Sequence, residues 1–233
     1  MAASGNVGVV FVSHSARIAE GLVDLARQMA PSAALIAAGG TDDGRIGTSF
    51  DLVSAAIADA DSGAGVAVLC DLGSAILTAE TALDFLDDDV RARVRIVDAP
   101  LVEGGVAAAV AAEAGEALEQ VVAAAESARG VAVPADDAAA ASAARVSTPA
   151  RSRTVTLVNA DGLHARPAAE LVKLASTFPQ RVTVNGTDAK SLLGIMSLGL
   201  TKGATVEIAS EDPEGLAAVE AIAALAESGF GEH

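Results

Sequence analysis

The sequence lacks several residue types on which common protein classes depend. Its 233 residues include no Trp, no Tyr, five Phe, one Cys and three His. One Cys cannot form an internal disulfide, and one Cys with three dispersed His disfavours a structural zinc site. We therefore expect no metal on this chain.

Positive charge is scarce as well, with 15 basic and 31 acidic side chains and a net charge of −16. A chain this acidic and this poor in aromatic residues lacks the basic surface and the stacking platforms of a nucleic-acid binder. The same charge disfavours an anionic membrane surface. Neither nucleic acid nor a membrane is an expected partner.

Signal peptides and membrane spans are not indicated. The N-terminus has no basic region, and the Ala-rich stretch after Gly104 is interrupted by Glu113 and Glu116. A membrane span needs about 18–20 predominantly apolar residues, and a signal peptide begins with a basic region. We expect a cytoplasmic protein.

Charge and composition divide the chain into three parts. Residues 1–130 carry 7 basic and 19 acidic groups, residues 131–152 two of each, and residues 153–233 carry 6 and 10. The neutral middle contains Pro134, Pro149 and many small residues without apolar periodicity, which is typical of a flexible linker. We predict two domains, 1–130 and 153–233, joined by this linker.

The first part alternates strand and helix patterns. Strands are predicted at residues 7–12, 33–37, 66–70 and 94–97, and helices at 17–29, 50–60, 74–86 and 105–128. The expected buried face of the first helix consists of Ile18, Leu22, Leu25 and Met29. This order predicts an α/β domain with a doubly wound, mostly parallel sheet.

The last part mixes short strands and helices in about 80 residues. Strands are predicted at 153–158, 181–184 and 205–210, and helices at 167–177, 192–198 and 213–228. This order predicts a small antiparallel α+β open-faced sandwich.

Two of the three histidines lie at predicted helix starts. His14 follows the first strand, and His164 precedes the first helix of the second domain, whereas His233 is the last residue. Unpaired backbone N–H groups and the helix dipole favour phosphate at such a place, and a histidine there can attack phosphorus. Either histidine alone fits a capping or surface role better. The same arrangement in two domains favours phosphoryl chemistry.

The first domain supplies partners for His14. The first and third strands are expected to be neighbours where strand order reverses, which brings Asp71 to His14. Asp71 is expected to accept a hydrogen bond from one ring nitrogen and leave the other free, although a helix cap is an equal alternative. Gly73 would allow close backbone approach, and Ser74 would donate to phosphoryl oxygens.

The second domain surrounds His164 with a comparable set. Arg166 is placed to pair with a phosphoryl group as a charge-assisted donor. Pro167 falls in the first helical turn, where its missing N–H costs nothing, and Gly162 permits a tight entry.

These motifs resemble two known families. Residues 153–233 resemble the histidine phosphocarrier HPr of the phosphoenolpyruvate-dependent sugar phosphotransferase system, through GLHARPAAELV and KSLLGIMSLG. Residues 5–128 resemble the mannose-type enzyme IIA domain, through VVFVSHSARIAEGL, DLGSAILTAETAL and DAPLVEGGVAAAVAA. Within that family, these segments resemble the version found in the phosphoryl-donor subunit of phosphoenolpyruvate-dependent dihydroxyacetone kinase.

The resemblance implies a phosphotransferase role. His164 would take phosphoryl from a separate enzyme I or a free HPr, assisted by Arg166, and pass it to His14, oriented by Asp71. His14 would rephosphorylate ADP held by a kinase subunit (DhaL), and the ATP would phosphorylate dihydroxyacetone on another subunit (DhaK). The resemblance also implies a homodimer through the N-terminal domain and no cofactor on this chain.

Residues of the short helix in the second domain match further HPr features. Leu192, Leu193 and Met196 match the apolar surface that docks partners, with a core face as an equal alternative. Ser191 matches a regulatory phosphorylation site of some HPr proteins, and a helix N-cap is the alternative.

Other functions remain open at this point. One is an enzyme IIA–HPr fusion serving a mannose-type sugar transporter, although DLGSA and APLVEG favour the kinase-donor type. Another is a regulatory module that senses phosphorylation. A flavodoxin-like nucleotide or flavin binder is disfavoured, because the sequence has no G-x-G-x-x-G motif, P-loop, Tyr or Trp.

Overall fold

The computed structural model describes residues 5–130, 151–159 and 162–231. The chain divides into two compact units, Met1–Arg129 and Gly130–His233. The predicted linker at 131–152 lies outside the described residues, except for Arg151 and Ser152. These two residues begin the first strand of the second unit, two residues earlier than predicted.

A four-stranded parallel sheet with the order β2-β1-β3-β4 forms the centre of the first unit. Its strands are β1 (Gly8–Ser13), β2 (Leu35–Gly39), β3 (Val66–Cys70) and β4 (Val94–Val97). The chain passes from β1 out to β2 and then returns across β1 to β3, so strand order reverses between β1 and β3. All residues of β1 and β3 are buried, as expected for central strands of an α/β sheet. The predicted doubly wound fold is confirmed.

Within residues 5–130, six α-helices accompany this sheet. They are α1 (Ala16–Arg27), α2 (Phe50–Ala60), α3 (Gly73–Asp84), α4 (Asp88–Arg91), α5 (Leu101–Glu113) and α6 (Leu118–Glu126). The single helix predicted over 105–128 is wrong, because Gly115 adopts φ +78° and ends α5. The N–H groups of Gly115 and Glu116 donate back to the carbonyls of Ala112 and Ala111, which completes a glycine C-cap.

The buried face of α1 also differs from the prediction. Leu22 and Met29 are buried as expected, but Ile18 and Leu25 are 51% and 45% exposed. The other buried positions of α1 are occupied by Ala19, Val23 and Ala26. Together with Leu22 these residues recur at the i, i+3, i+4, i+7 spacing of one helix face, and Ile18 and Leu25 lie off that face.

The second unit is an antiparallel sheet with helices. The sheet has the order β5-β8-β6-β7 and contains β5 (Arg151–Thr156), β6 (Thr183–Val184), β7 (Thr187–Asp188) and β8 (Thr205–Ser210). The helices are α7 (Ala165–Ser176), α8 (Leu192–Ser197) and α9 (Leu216–Glu227). Residues of β8 largely alternate between exposed and buried, so one face of the sheet is covered. The predicted open-faced α+β sandwich is confirmed.

The short strand β7 was not predicted. It follows a tight turn in which Asn185 and Gly186 adopt φ +47° and +81°, as a two-residue hairpin turn requires. Within the described ranges, no helix is long and apolar enough to cross a bilayer.

Candidate active sites at His14 and His164

His14 lies at the carboxyl edge of the first sheet because it directly follows β1. In the parallel pair of β1 and β3, Val12 is aligned with Cys70. The N–H of Asp71 donates to the carbonyl of Val12 over 3.1 Å and continues the ladder past the end of β3. The next residues of the two strands are therefore neighbours, and Asp71 lies beside His14.

The carboxylate of Asp71 accepts four hydrogen bonds. Its Oδ1 accepts from Nδ1 of His14 at 2.9 Å and from the N–H of Leu72 at 2.7 Å. Its Oδ2 accepts from the N–H of His14 at 2.8 Å and from Oγ of Ser13 at 2.9 Å. Since a carboxylate can only accept, Nδ1 carries a proton, and in the neutral ring Nε2 therefore keeps its lone pair. The predicted contact between His14 and Asp71 is present.

Two opposing effects set the pKa of Asp71. Burial raises this pKa, whereas the hydrogen bonds from the backbone and ring of His14, from Ser13 and from the Leu72 N–H lower it. The hydrogen bonds prevail, and the pKa of Asp71 lies below its ordinary value. Asp71 is therefore ionised at neutral pH and holds His14 in one tautomer.

Ser13 was not identified from the sequence. Its side chain is fully buried, and besides donating to Asp71 it accepts the N–H of Ser15 at 3.1 Å. The signal was a hydroxyl at the end of an otherwise apolar buried strand. Buried polar groups need partners, and here the partner is the carboxylate that orients His14.

The start of α3 faces the other ring nitrogen. Oγ of Ser74 lies 2.7 Å from Nε2 of His14. Gly73 and Ser74 are the first two helical residues, and their N–H groups have no acceptor among the described residues. A Cβ at Gly73 would meet no atom within 4 Å, so the space beside the helix start is open. The site thus combines a nucleophilic nitrogen with donors suited to an anion.

His164 is the N-cap residue of α7 and is partly exposed. Its N–H donates to the carbonyl of Gly162 at 3.0 Å, and its carbonyl accepts the N–H of Ala168 at 2.9 Å. Gly162 adopts φ +67°, and a Cβ there would lie 2.2 Å from the carbonyl oxygen of Leu200. Only glycine fits this entry, which holds His164 at the helix start as predicted.

Arg166 is exposed at the second position of α7, and Pro167 lies buried at the third. Among the described residues, none forms a hydrogen bond or ion pair with the Arg166 guanidinium. A cation and the N–H groups of the first turn therefore occupy the same helix end as His164. The role of Arg166 in holding phosphoryl stays a prediction.

The interpretation of α8 as a docking helix needs correction. Leu192 and Leu193 are only 4% and 8% exposed and belong to the core, so they offer no surface to a partner. Met196 is 36% exposed and remains available. Ser191 is the N-cap of α8, since its Oγ accepts the N–H of Gly194 at 3.2 Å. Its regulatory phosphorylation stays a prediction.

Comparison with known proteins accounts for both units. The family model of the mannose-type enzyme IIA, described as the PTS system fructose IIA component, matches residues 8–122. The PTS HPr component phosphorylation site model matches residues 151–228. The two matches contain His14 and His164, respectively.

Individual relatives match either the whole chain or part of it. The chain is 38% identical to the Escherichia coli K12 "PEP-dependent dihydroxyacetone kinase, phosphoryl donor subunit DhaM", covering 97% of this chain and 51% of that protein. It is 44% identical to phosphoryl donor subunit DhaM of dihydroxyacetone kinase 2 from Listeria innocua, over 45% of this chain and 84% of that protein. It is 40% identical to the phosphocarrier protein HPr of Cupriavidus necator, over 34% of this chain and 94% of that protein.

The chain spans about half the length of the E. coli relative. It covers 84% of the Listeria protein at 44% identity, which is high enough to show membership of the same family. A mannose-type enzyme IIA unit and an HPr unit follow one another in the chain. The chain belongs to the DhaM family of phosphoryl donor subunits.

Proposed function

We propose that this chain is a two-histidine phosphoryl relay serving a phosphoenolpyruvate-dependent dihydroxyacetone kinase. Phosphoryl passes from enzyme I or a free HPr to His164, then to His14, and then to ADP held by the kinase subunit DhaL. The observation that carries the proposal is the 2.9 Å contact of His14 Nδ1 with Asp71, which leaves Nε2 as a nucleophile. The chain is a phosphotransferase in the sense of a carrier, and the kinase subunits hold the nucleotide and the sugar.

Transfer to His14 needs little covalent chemistry from the protein. Nε2 attacks phosphorus while the phosphorus–nitrogen bond to the donor histidine breaks. Nδ1 keeps its proton, which stays hydrogen-bonded to Asp71. Phosphoryl transfer depends mainly on positioning and electrostatics. The hydroxyl of Ser74 rotates from Nε2 to a phosphoryl oxygen, and the N–H groups of Gly73 and Ser74 stabilise the negative charge.

We further infer that the first unit forms a homodimer through the outer face of α2 and α3. Phe50 and Phe85 form an edge-to-face pair at 5.3 Å, and Leu77 and Phe85 are 64% and 77% exposed. A second copy would cover this apolar surface. Light scattering during size-exclusion chromatography is expected to give a dimer for the wild type and a monomer for Phe85→Asp. A wild-type monomer, or an unchanged Phe85→Asp dimer, would contradict the inference.

Intact mass spectrometry tests the order of the relay. With phosphoenolpyruvate and enzyme I, the wild type is expected to carry two acid-labile phosphoryl groups and His14→Ala one. His164→Ala is expected to carry none when enzyme I is the sole donor. His233→Ala is the matched histidine control and should load like the wild type. Loading of His14 in His164→Ala at the wild-type rate would overturn the order, and no loading of the wild type would refute the relay.

A further inference from the structure

Three residues of the first unit form a chain of hydrogen bonds that the relay only partly uses. Oγ of Ser74 lies 2.7 Å from Nε2 of His14, and Nδ1 of His14 lies 2.9 Å from Oδ1 of Asp71. With Nδ1 protonated, the Ser74 hydroxyl donates to the lone pair of Nε2. Serine hydrolases activate their nucleophile in the same way: the serine hydroxyl donates a hydrogen bond to a histidine, and a carboxylate orients that histidine.

The base of this arrangement is firmly oriented. Oδ2 of Asp71 accepts the N–H of His14 and the hydroxyl of Ser13, so the carboxylate cannot turn away from the ring without losing both hydrogen bonds. The side chains of His14 and Asp71 are only 20% and 16% exposed. Both bonds of the chain lie within the 2.6–3.2 Å that proton transfer to a general base requires.

Ser74 itself is accessible to a reactant. It is exposed at the second position of α3, directly after Gly73, and a Cβ at Gly73 would meet nothing within 4 Å. The N–H groups of Gly73 and Ser74 have no acceptor among the described residues, whereas the N–H of Ala75 already donates to Leu72. Two free donors beside a nucleophile are what an oxyanion needs.

We propose that Ser74 is an activated nucleophile in the unphosphorylated chain, and that the Ser74–His14–Asp71 triad slowly hydrolyses activated esters. Oγ of Ser74 forms a bond to the carbonyl carbon while its proton moves to Nε2 of His14. The intermediate expels the alcohol or phenol, which takes that proton, and acyl-Ser74 remains. Water then attacks the acyl group, its proton passes through Nε2 back to Ser74, and the free acid is released.

Two probes test this proposal on the full-length chain. One is hydrolysis of 4-nitrophenyl acetate, and the other is labelling by a fluorophosphonate, with the labelled peptide located by mass spectrometry. The wild type is expected to carry the label on Ser74. His14→Ala and Asp71→Asn should lower both rates at least about tenfold, because general-base assistance is worth roughly 10²–10⁴-fold. Ser127→Ala, an exposed serine on the same unit, is the matched control and should behave like the wild type.

The variant Ser74→Ala separates this mechanism from simple histidine chemistry. Ser74 is exposed, so its replacement leaves the core intact, and circular dichroism checks the fold. The triad predicts that Ser74→Ala loses the fluorophosphonate label and hydrolyses the ester at least about tenfold more slowly. If His14 or His164 attacked the ester directly, Ser74→Ala would retain the wild-type rate and the acyl group would be found on histidine. That result, or a label away from Ser74, would overturn the proposal.

Discussion

Replacement of Asp71 by Asn changes the hydrogen bonding of His14 while keeping the size of the side chain. The carboxylate accepts from four donors, two on each oxygen. An amide has one accepting oxygen and one donating NH₂. If the NH₂ faces the ring, it also faces the N–H of Leu72, and Nδ1 must become the acceptor. The ring proton then moves to Nε2, and the nucleophilic lone pair is lost.

The opposite orientation of the amide is also costly. The NH₂ then faces the backbone N–H of His14, which cannot change its role. In one orientation the exposed N–H of Leu72 loses its acceptor and can bond water instead. In the other, the part-buried N–H of His14 loses its acceptor, which costs about 1–3 kcal/mol. We therefore expect the free energy of unfolding of the first unit, measured by denaturant titration, to fall by up to that amount in Asp71→Asn. We expect phosphoryl transfer to His14 to slow by roughly 10²–10⁴-fold, since the wrong tautomer costs serine proteases about 10⁴.

The assay is a quenched time course of intact mass with phosphoenolpyruvate and enzyme I. In Asp71→Asn the first phosphoryl group should appear at the wild-type rate, because it resides on His164, and only the second should be delayed. Asp59→Asn, at an exposed position of α2, is the matched control and should show both steps unchanged. Wild-type kinetics of the second step in Asp71→Asn would refute the role of the carboxylate in setting the tautomer.

Three further changes probe the fold and the docking surface. Gly186→Ala should destabilise the second unit by about 1–2 kcal/mol, the strain of a left-handed backbone. Gly162→Ala should destabilise it by more, because of these two glycines only Gly162 is so placed that a Cβ would meet backbone atoms. Equal destabilisation of the two variants in urea unfolding would contradict this. The guanidinium of Arg93 holds the pKa of Asp61 below its ordinary value, so this contribution to stability is present above about pH 4 and is lost as pH falls through the folded pKa. The difference in unfolding free energy between wild type and Asp61→Asn should therefore shrink below about pH 4, and a constant difference would contradict the ion-pair explanation. Met196→Asp should raise the concentration of enzyme I needed for half-maximal loading without changing urea unfolding, and unchanged loading would exclude Met196 from docking.

The contact between His14 and Asp71 could be predicted because it follows from strand order alone. Buried apolar strands identify a parallel sheet, and residues that follow neighbouring strands must meet at its carboxyl edge. Ser74 was also correctly placed at this edge. In the unphosphorylated chain its hydroxyl lies on the ring nitrogen of His14. Its expected contact with a phosphoryl oxygen stays a prediction.

Two features that were predicted wrongly, the division between α5 and α6 and the buried face of α1, lie in segments rich in alanine. The run after Gly104 contains so much Ala that no apolar stripe marks where α5 ends, and only the conformation of Gly115 divides it from α6. In α1, the face formed by Ala19, Leu22, Val23 and Ala26 is buried, and Ile18 and Leu25 of the expected face are exposed. These outcomes depend on tertiary contacts, which local periodicity does not contain.

Short helices limit sequence reasoning in a different way. With six residues, α8 makes fewer than two turns, so spacing alone cannot separate a docking face from a core face. The structure separates them, because Leu192 and Leu193 are buried and Met196 is partly exposed. The hydroxyl of Ser13 could not be identified from the sequence either, because a single polar residue at the end of a strand resembles the start of a loop.

The most direct test of the relay follows one labelled phosphoryl group to its acceptor. The chain is loaded with ³²P from phosphoenolpyruvate and enzyme I, separated from both, and mixed with the kinase subunit that carries ADP. The relay predicts that the label leaves both histidines and appears in ATP, and that a chain loaded only on His164, in the His14→Ala variant, transfers nothing. Label that stays on the chain in the presence of the ADP-loaded subunit, or that passes to ATP from His14→Ala, would contradict the account.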